Sequence, residues 1–359
     1  MKKVYLLLVL CIILTLIAQV KAQDREFSFS EKYKVNQPAN FKVKTSDGNI
    51  QIGRTSGSEV EVYYRVTKNG KLMNISRSEL EETVSIIVMK GPNLLDITVK
   101  HEDQFMGWRN RMNVSFDVLV PEKTSCTLIS SDGNISMDGI TGNQYMKSSD
   151  GNIRVSNVAG SIEVKTSDGN LTIHNIGGNA QLKTSDGNMT ITQIKGSVSG
   201  RTSDGNVTVE DVRGSLSIGT SDGNITSTNI GQWADLSSSD GHIKLFKASG
   251  DIKLKTSDGS IEFQNISGSL TATTSDGHVR GNIDQLNGPL YLKTTDGNVD
   301  VSVPEGLGLD LVLRGNKVHT RLSQFDGVSK EKSVNGTING GGIPVEISAG
   351  DGSVSLTYR

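Results

Sequence analysis

From Ile153 onward the chain repeats one phrase. Apolar and polar residues alternate at Ile153 and Val155, an odd-spaced apolar residue follows at Val158, and a second alternating pair closes the unit at Ile162 and Val164. The phrase returns as Leu171, Ile173, Ile176, Ala180 and Leu182, and again as Val207, Val209, Val212, Leu216 and Ile218. A period of two predicts half-buried strands, and the β-branched residues of the inward set agree. The odd-spaced residue, seen also at Ile194, Ile230 and Ile266, predicts a bend that turns a side chain inward. Each unit is expected to be strand, bend, strand, tight turn.

The turn fixes the period. Ser-Asp-Gly-Asn or a near variant places Asp132-Gly133, Asp150-Gly151, Asp168-Gly169, Asp186-Gly187, Asp204-Gly205, Asp222-Gly223, Asp240-Gly241, Asp258-Gly259 and Asp276-Gly277 at a constant spacing of 18 residues. Asp296-Gly297 follows after a two-residue insertion, and Asp47 precedes the array by 85 residues. Two folds fit. In an antiparallel meander, Asp-Gly would be the centre of a hairpin turn. In a β-solenoid, each unit is one coil lying about 4.8 Å above the last. Three features favour the solenoid. The bend residues are apolar, which a hairpin tip would expose. Columns of one identity, such as Thr166, Thr184 and Thr202 or Asn170, Asn188 and Asn206, gain from in-register stacking. A coil also covers its own apolar face, which a single-layer meander leaves bare. The Asp-Gly pairs then act as structural turns. Glycine is expected to supply positive φ, and aspartate to accept hydrogen bonds from the amides that follow.

The fold class is therefore all-β: a parallel single-stranded β-helix with 18-residue coils, two strands per coil, and irregular wider coils at both ends. Residues 23–130 keep strand character without the strict period and read as irregular coils and cap, with a helical turn within Ser78 to Val84. Residues 131–300 form the regular array, and residues 301–359 the C-terminal coils and cap, 23–359 being one continuous domain. Val120-Pro121-Glu122 and Val303-Pro304-Glu305 mark the two changes of pattern. Residues 1–22 read as a signal peptide, from Lys2 and Lys3 through the apolar run Val4 to Val20 to Val20-Lys21-Ala22. An uncleaved N-terminal anchor stays open on the length of that run. Export to the periplasm, cell surface or medium follows, with no integral membrane segment after cleavage.

Composition narrows the function. The chain has 359 residues, 40 glycines, 6 prolines and a net charge of -2. Without a collagen period or proline enrichment it is neither collagen-like nor disordered, and scattered cations exclude a nucleic-acid face. Cys11 and Cys126 are the only cysteines, too few for a disulfide framework. No catalytic motif or cofactor fingerprint is present, and the histidines are isolated. The column Asp150, Asp168, Asp186, Asp204 and Asp222 raises calcium, but calcium β-rolls place aspartate after glycine in both halves of a coil, whereas here it precedes glycine once per coil. Phe105, Trp108 and Arg109 have the composition of a binding hot spot; packing over the end of the core is the alternative.

These residues carry a resemblance. The rows of Ser-Asp-Gly-Asn-Ile-x-Val units and the ending Gly342-Ile343-Pro344-Val345-Glu346-Ile347 through Gly350-Asp351-Gly352-Ser353-Val354 resemble the bacterial putative-adhesin family of exported, toast-rack-like β-strand repeats. The resemblance covers nearly all of the chain after its leader. It implies a parallel β-helix at the cell envelope and offers no catalytic residues. The reading is a non-enzymatic exported solenoid with a structural or adhesin-like role toward an envelope or surface partner, protein or glycan. A calcium-stabilised β-roll and a glycan-binding or glycan-cleaving β-helix stand as alternatives.

Overall fold

The structure, a computed structural model, describes residues 26–101 and 112–359. The leader at residues 1–22 and the Phe105, Trp108 and Arg109 cluster lie outside the described residues.

In the array, Ile153–Val158 pairs in parallel with Leu171–Ile176, and Ile162–Lys165 with Ala180–Lys183, every residue opposite the one 18 positions later. The same register runs from Ile135–Asp138 through Ile261–Thr273. Neighbouring coils therefore run in the same direction, which makes the molecule a solenoid and excludes hairpins about Asp-Gly. Two walls face each other across a narrow core. Ile153, Val155 and Val158 fill it from the first wall and Ile162 and Val164 from the second, all buried. Register shifts within the pairing of Ile261–Thr273 with Val279–Thr294 absorb the two-residue insertion.

The corner is built differently from the sequence expectation. The glycines of the array's Asp-Gly pairs do not have positive φ; that conformation belongs to the residue before each inward bend: Asn157, Asn175, Gln193, Asp211, Asn229, Lys247 and Asn265, at φ 53 to 59°. Asparagine tolerates this region better than most side chains. The corner glycine is needed for a steric reason instead. A Cβ on Gly187 would stand 1.9 Å from the carbonyl oxygen of Gly169 in the preceding coil, and Gly151 and Gly205 face the same collision. Stacking, not torsion, selects glycine.

Nor does aspartate cap the turn. The buried hydroxyl one residue before the Ser-Asp-Gly does so. The Thr184 hydroxyl donates toward the carbonyls of Ser167 and Gly169 in the coil below, at 2.9 and 3.2 Å, and accepts the Gly187 N–H at 3.2 Å. Ser148, Thr220 and Ser238 repeat all three contacts. One small side chain thus satisfies three backbone groups that burial would otherwise leave unpaired.

The ends depart from sequence order. Ala39–Lys44 lies between Leu94–His101 and Thr124–Ile129, and Ile50–Thr55 lies between Met112–Pro121 and Ile135–Asp138. An early segment is thus inserted beneath a coil that the chain forms later. The other end mirrors this with late segments set between earlier coils: Ile343–Ala349 lies between Leu309–Arg314 and Val279–Thr294, and Ser353–Tyr358 between Lys317–Thr320 and Val299–Val303. Pro121 and Pro304 stand where the chain steps over the inserted coil. The irregular coils at both ends are thus intercalated ones.

Candidate functional site

With both walls' inner rows used by the core, any chemistry lies on the outward columns. The first column follows the corner. Asn152 N–H donates to Asn134 Oδ1 at 2.9 Å, and Asn170, Asn188, Asn206 and Asn224 repeat the bond one coil at a time. Side-chain amides also bond along the column, as Asn170 Nδ2 does to Asn152 Oδ1 at 3.1 Å. Where asparagine is replaced, the ladder continues: Ser260 N–H donates to His242 Nδ1 at 2.9 Å, and Asn298 N–H to His278 Nδ1 at 3.0 Å. Each ring nitrogen therefore takes the accepting place of asparagine's Oδ1 in the column. His242 and His278, isolated in the sequence, are thus joined to the ladder through a ring nitrogen.

The aspartates of the Asp-Gly pairs, Asp132 through Asp296, stand exposed at the corners beside this ladder, with their glycines buried beneath. The amides after them are taken elsewhere, that of Gly187 by Thr184 and that of Asn188 by Asn170. Among the described residues no three His, Cys, Asp or Glu side chains gather as a metal site. Cys126 is buried in the core of the second wall, and burial alone pushes its thiol far up, away from a reactive thiolate.

The second wall carries three outward rows in register. Nearest the corner run Lys147, Lys165, Lys183 and Arg201, followed by Gly219 and Ser237. The middle row is Tyr145, Glu163, Gln181, Ser199, Ser217 and Asp235. The third passes through Asn179, Ser197 and Ser215 to Trp233, which is 46% exposed. A groove of about 740 Å³ follows the middle and third rows from Phe41 to Trp233. A second recess of about 310 Å³ opens beside Lys183 and Arg201, where Gly219 contributes no side chain. Lys165 is held by Glu163 at 2.6 Å and lies 5.7 Å from the Tyr145 ring centre. Lys147, Lys183 and Arg201 form no ion pair among the described residues. The signal missed in the sequence is a break in uniformity: Trp233 occupies a position that is serine or asparagine in every earlier coil of the array.

The Toastrack DUF4097 family model matches residues 64–252 and again 215–357. The chain belongs to that family. The Toastrack match spans both the array and the intercalated C-terminal end. No curated protein matches the chain. Similar solved structures include one described as a putative adhesin from Bacteroides fragilis NCTC 9343, at 13% identity and TM-score 0.35, covering 71% of this chain and 95% of that one. Another, described as a putative cell adhesion protein from Clostridium sporogenes ATCC 15579, has 13% identity and TM-score 0.18, covering 92% and 99%. A third, described as a putative lipid binding protein from Parabacteroides distasonis ATCC 8503, has 10% identity and TM-score 0.25, covering 91% and 96%.

Proposed function

We propose that this Toastrack protein is a non-enzymatic, exported rod that serves at the bacterial cell envelope as a structural or adhesive element, residues 23–359 acting as one unit. The observation that carries the reading is the in-register stack from Ile135–Asp138 through Ile261–Thr273. It fixes each outward side chain over its equivalent at a spacing of about 4.8 Å, which suits repeated weak contacts along a surface rather than the convergence of different groups on one reacting atom. The leader-like residues 1–22 support export. No helix among the described residues is long and apolar enough to cross a membrane.

Fractionation of the producing cells, followed by protease shaving of intact cells, tests the reading. The protein is expected outside the cytoplasm, and a deletion strain is expected to lose attachment or envelope integrity while its metabolite profile is unchanged. Retention in the cytoplasm, or a specific metabolite accumulating in the deletion strain, overturns it.

A further inference from the structure

The second wall holds a combination that the stacked fold does not require. Its groove runs along the solenoid axis, and between the levels of Tyr145 and Trp233 alone it crosses six coils, five steps of ~4.8 Å or about 24 Å. Hydroxyls and amides line its floor at every step, through Gln181, Ser197, Ser199 and Ser215. Beside it, toward the corner, lies the second recess, lined by Lys183 and Arg201. Glu163 pairs with Lys165 at 2.6 Å, so Lys183 and Arg201 share that recess with Asp235, the exposed corner aspartates lying on their outer side. At the far end an indole stands 46% exposed on a wall of small polar residues, where nothing in the core gains from it. An indole exposed in this way offers a flat apolar face on which a ring of a partner can stack.

We propose that this groove binds a linear anionic polysaccharide lying along the rod. Lys183 and Arg201 meet its acid groups, the serine and amide rows meet its hydroxyls, and Trp233 stacks on a sugar ring. The fit is one of repeat and charge: a chain with an acid on every unit matches a flank with a cation on successive coils, and a flat sugar face matches an indole. A neutral glycan would leave the cations unused. A peptide would meet a floor with few apolar pockets for its side chains, and both strand edges on that floor are already paired. This inference rests on the exported, non-enzymatic reading above and names the partner of that reading.

Affinity electrophoresis and calorimetry of the full protein against polygalacturonate, alginate and fully methyl-esterified polygalacturonate test it. The acid polymers are expected to bind with a strong salt dependence, and the ester to bind at least about tenfold more weakly. Trp233→Ala is expected to weaken binding on the order of tenfold. Lys183→Gln with Arg201→Gln should erase the difference between acid and ester, whereas Arg154→Gln, on the opposite wall, should change nothing. Circular dichroism confirms that each variant keeps its strands. Binding to none of the acid polymers, equal binding of acid and ester, or equal damage from Arg154→Gln overturns the proposal. An exported protein that supports attachment yet binds none of these polymers keeps the proposed function and loses this inference; a cytoplasmic protein that binds them does the reverse.

Discussion

The array and the ends of the solenoid solve opposite problems with the same strands. Inside the array each coil pairs with the coil before it in sequence, so one 18-residue phrase can be repeated without new information. A stack of identical coils has no instruction to stop, and it leaves two open strand edges at each end. The ends supply the stop. Glu59–Lys68 and Phe29–Lys34 turn antiparallel beyond Met112–Pro121, and Val84–Lys90 turns antiparallel beyond Leu94–His101. At the far end Ser333–Ile338 and Phe325–Lys330 do the same beyond Leu309–Arg314. Intercalation adds a second device, because a terminal segment bonded on both sides cannot fray alone. Repetition extends the rod, and broken sequence order closes it.

The sharpest way to break this comparison is to delete a similar length from each region. Removing residues 343–359 empties a slot between two coils and bares both walls of the core. A loss of more than about 4 kcal/mol is expected, since the cost exceeds that of ordinary point changes. Removing residues 168–185 takes out one coil and joins Ser167 to Asp186 in register, so cooperative melting within a few degrees of the parent is expected. Differential scanning calorimetry decides. Equal damage from the two deletions would show that the ends are as interchangeable as the coils.

Within the array, the corner glycine is the least tolerant position. Gly187→Ala sets a Cβ where the Gly169 carbonyl stands at 1.9 Å, and the coils above and below are both continuous, so neither can yield cheaply. A loss of about 3 kcal/mol is expected in chemical denaturation. Full tolerance of alanine there would mean the stack is looser than its register implies.

The N-terminal cap should answer to acid where the array does not. Arg77 lies 2.8 Å from Glu31, and the Tyr33 and Tyr64 hydroxyls donate to the same carboxylate. Burial works against the charged carboxylate, but these bonds and the Arg77 charge outweigh it and hold Glu31 below the usual carboxylate range. Burial, reinforced by the bond to Glu31, pushes the Tyr33 phenol up to about 12. A depressed carboxyl contributes stability that is present above its unfolded value and is lost as pH falls through its folded one. Hydrogen exchange across Glu59–Lys68 is therefore expected to accelerate below the ordinary glutamate range before the array opens. Glu31→Gln should flatten that dependence and lower cap stability by about 1 kcal/mol at neutral pH, part of the pair being exposed to solvent. Simultaneous opening of cap and array in acid would count against a separate polar lock.

What the sequence discloses follows from what repetition can encode. The inward alternation at Ile153, Val155, Ile162 and Val164 fixes strands, walls and register, because a slip of one residue would turn every inward side chain outward. The asparagine ladder was visible as a column of one residue type. The reasons for Thr184 and Gly187 were not, since a buried hydroxyl and a glycine of ordinary φ look in sequence like any polar turn. Intercalation at the ends leaves only the prolines at 121 and 304 as its trace. Pairing between segments more than 80 residues apart, such as Ile50 with Ile135, has no local signature. Trp233 carries one, as the departure from a column of small polar residues.

The most specific contrast turns on one substitution made at two serines. Ser148 is at a corner, where its hydroxyl donates toward Ser131 and Gly133 carbonyls at 3.0 and 3.1 Å and accepts the Gly151 N–H. Ser227 is in the first wall, in the inward row occupied by Val155, Ile173, Ile191 and Val209 in preceding coils, fully buried, and its hydroxyl has no hydrogen-bond partner. Ser148→Ala strips three backbone groups of their partner and is expected to cost about 2 kcal/mol. Ser227→Ala removes an unpaired polar atom from an apolar core and is expected to stabilise by about 1 kcal/mol, less whatever the small void it leaves subtracts. Opposite shifts in the melting midpoint would show that the array tolerates a hydroxyl in the core only as a defect and depends on it at the corner. Shifts of the same sign would mean that position along the coil, rather than hydrogen bonding, sets the worth of a buried serine in this stack.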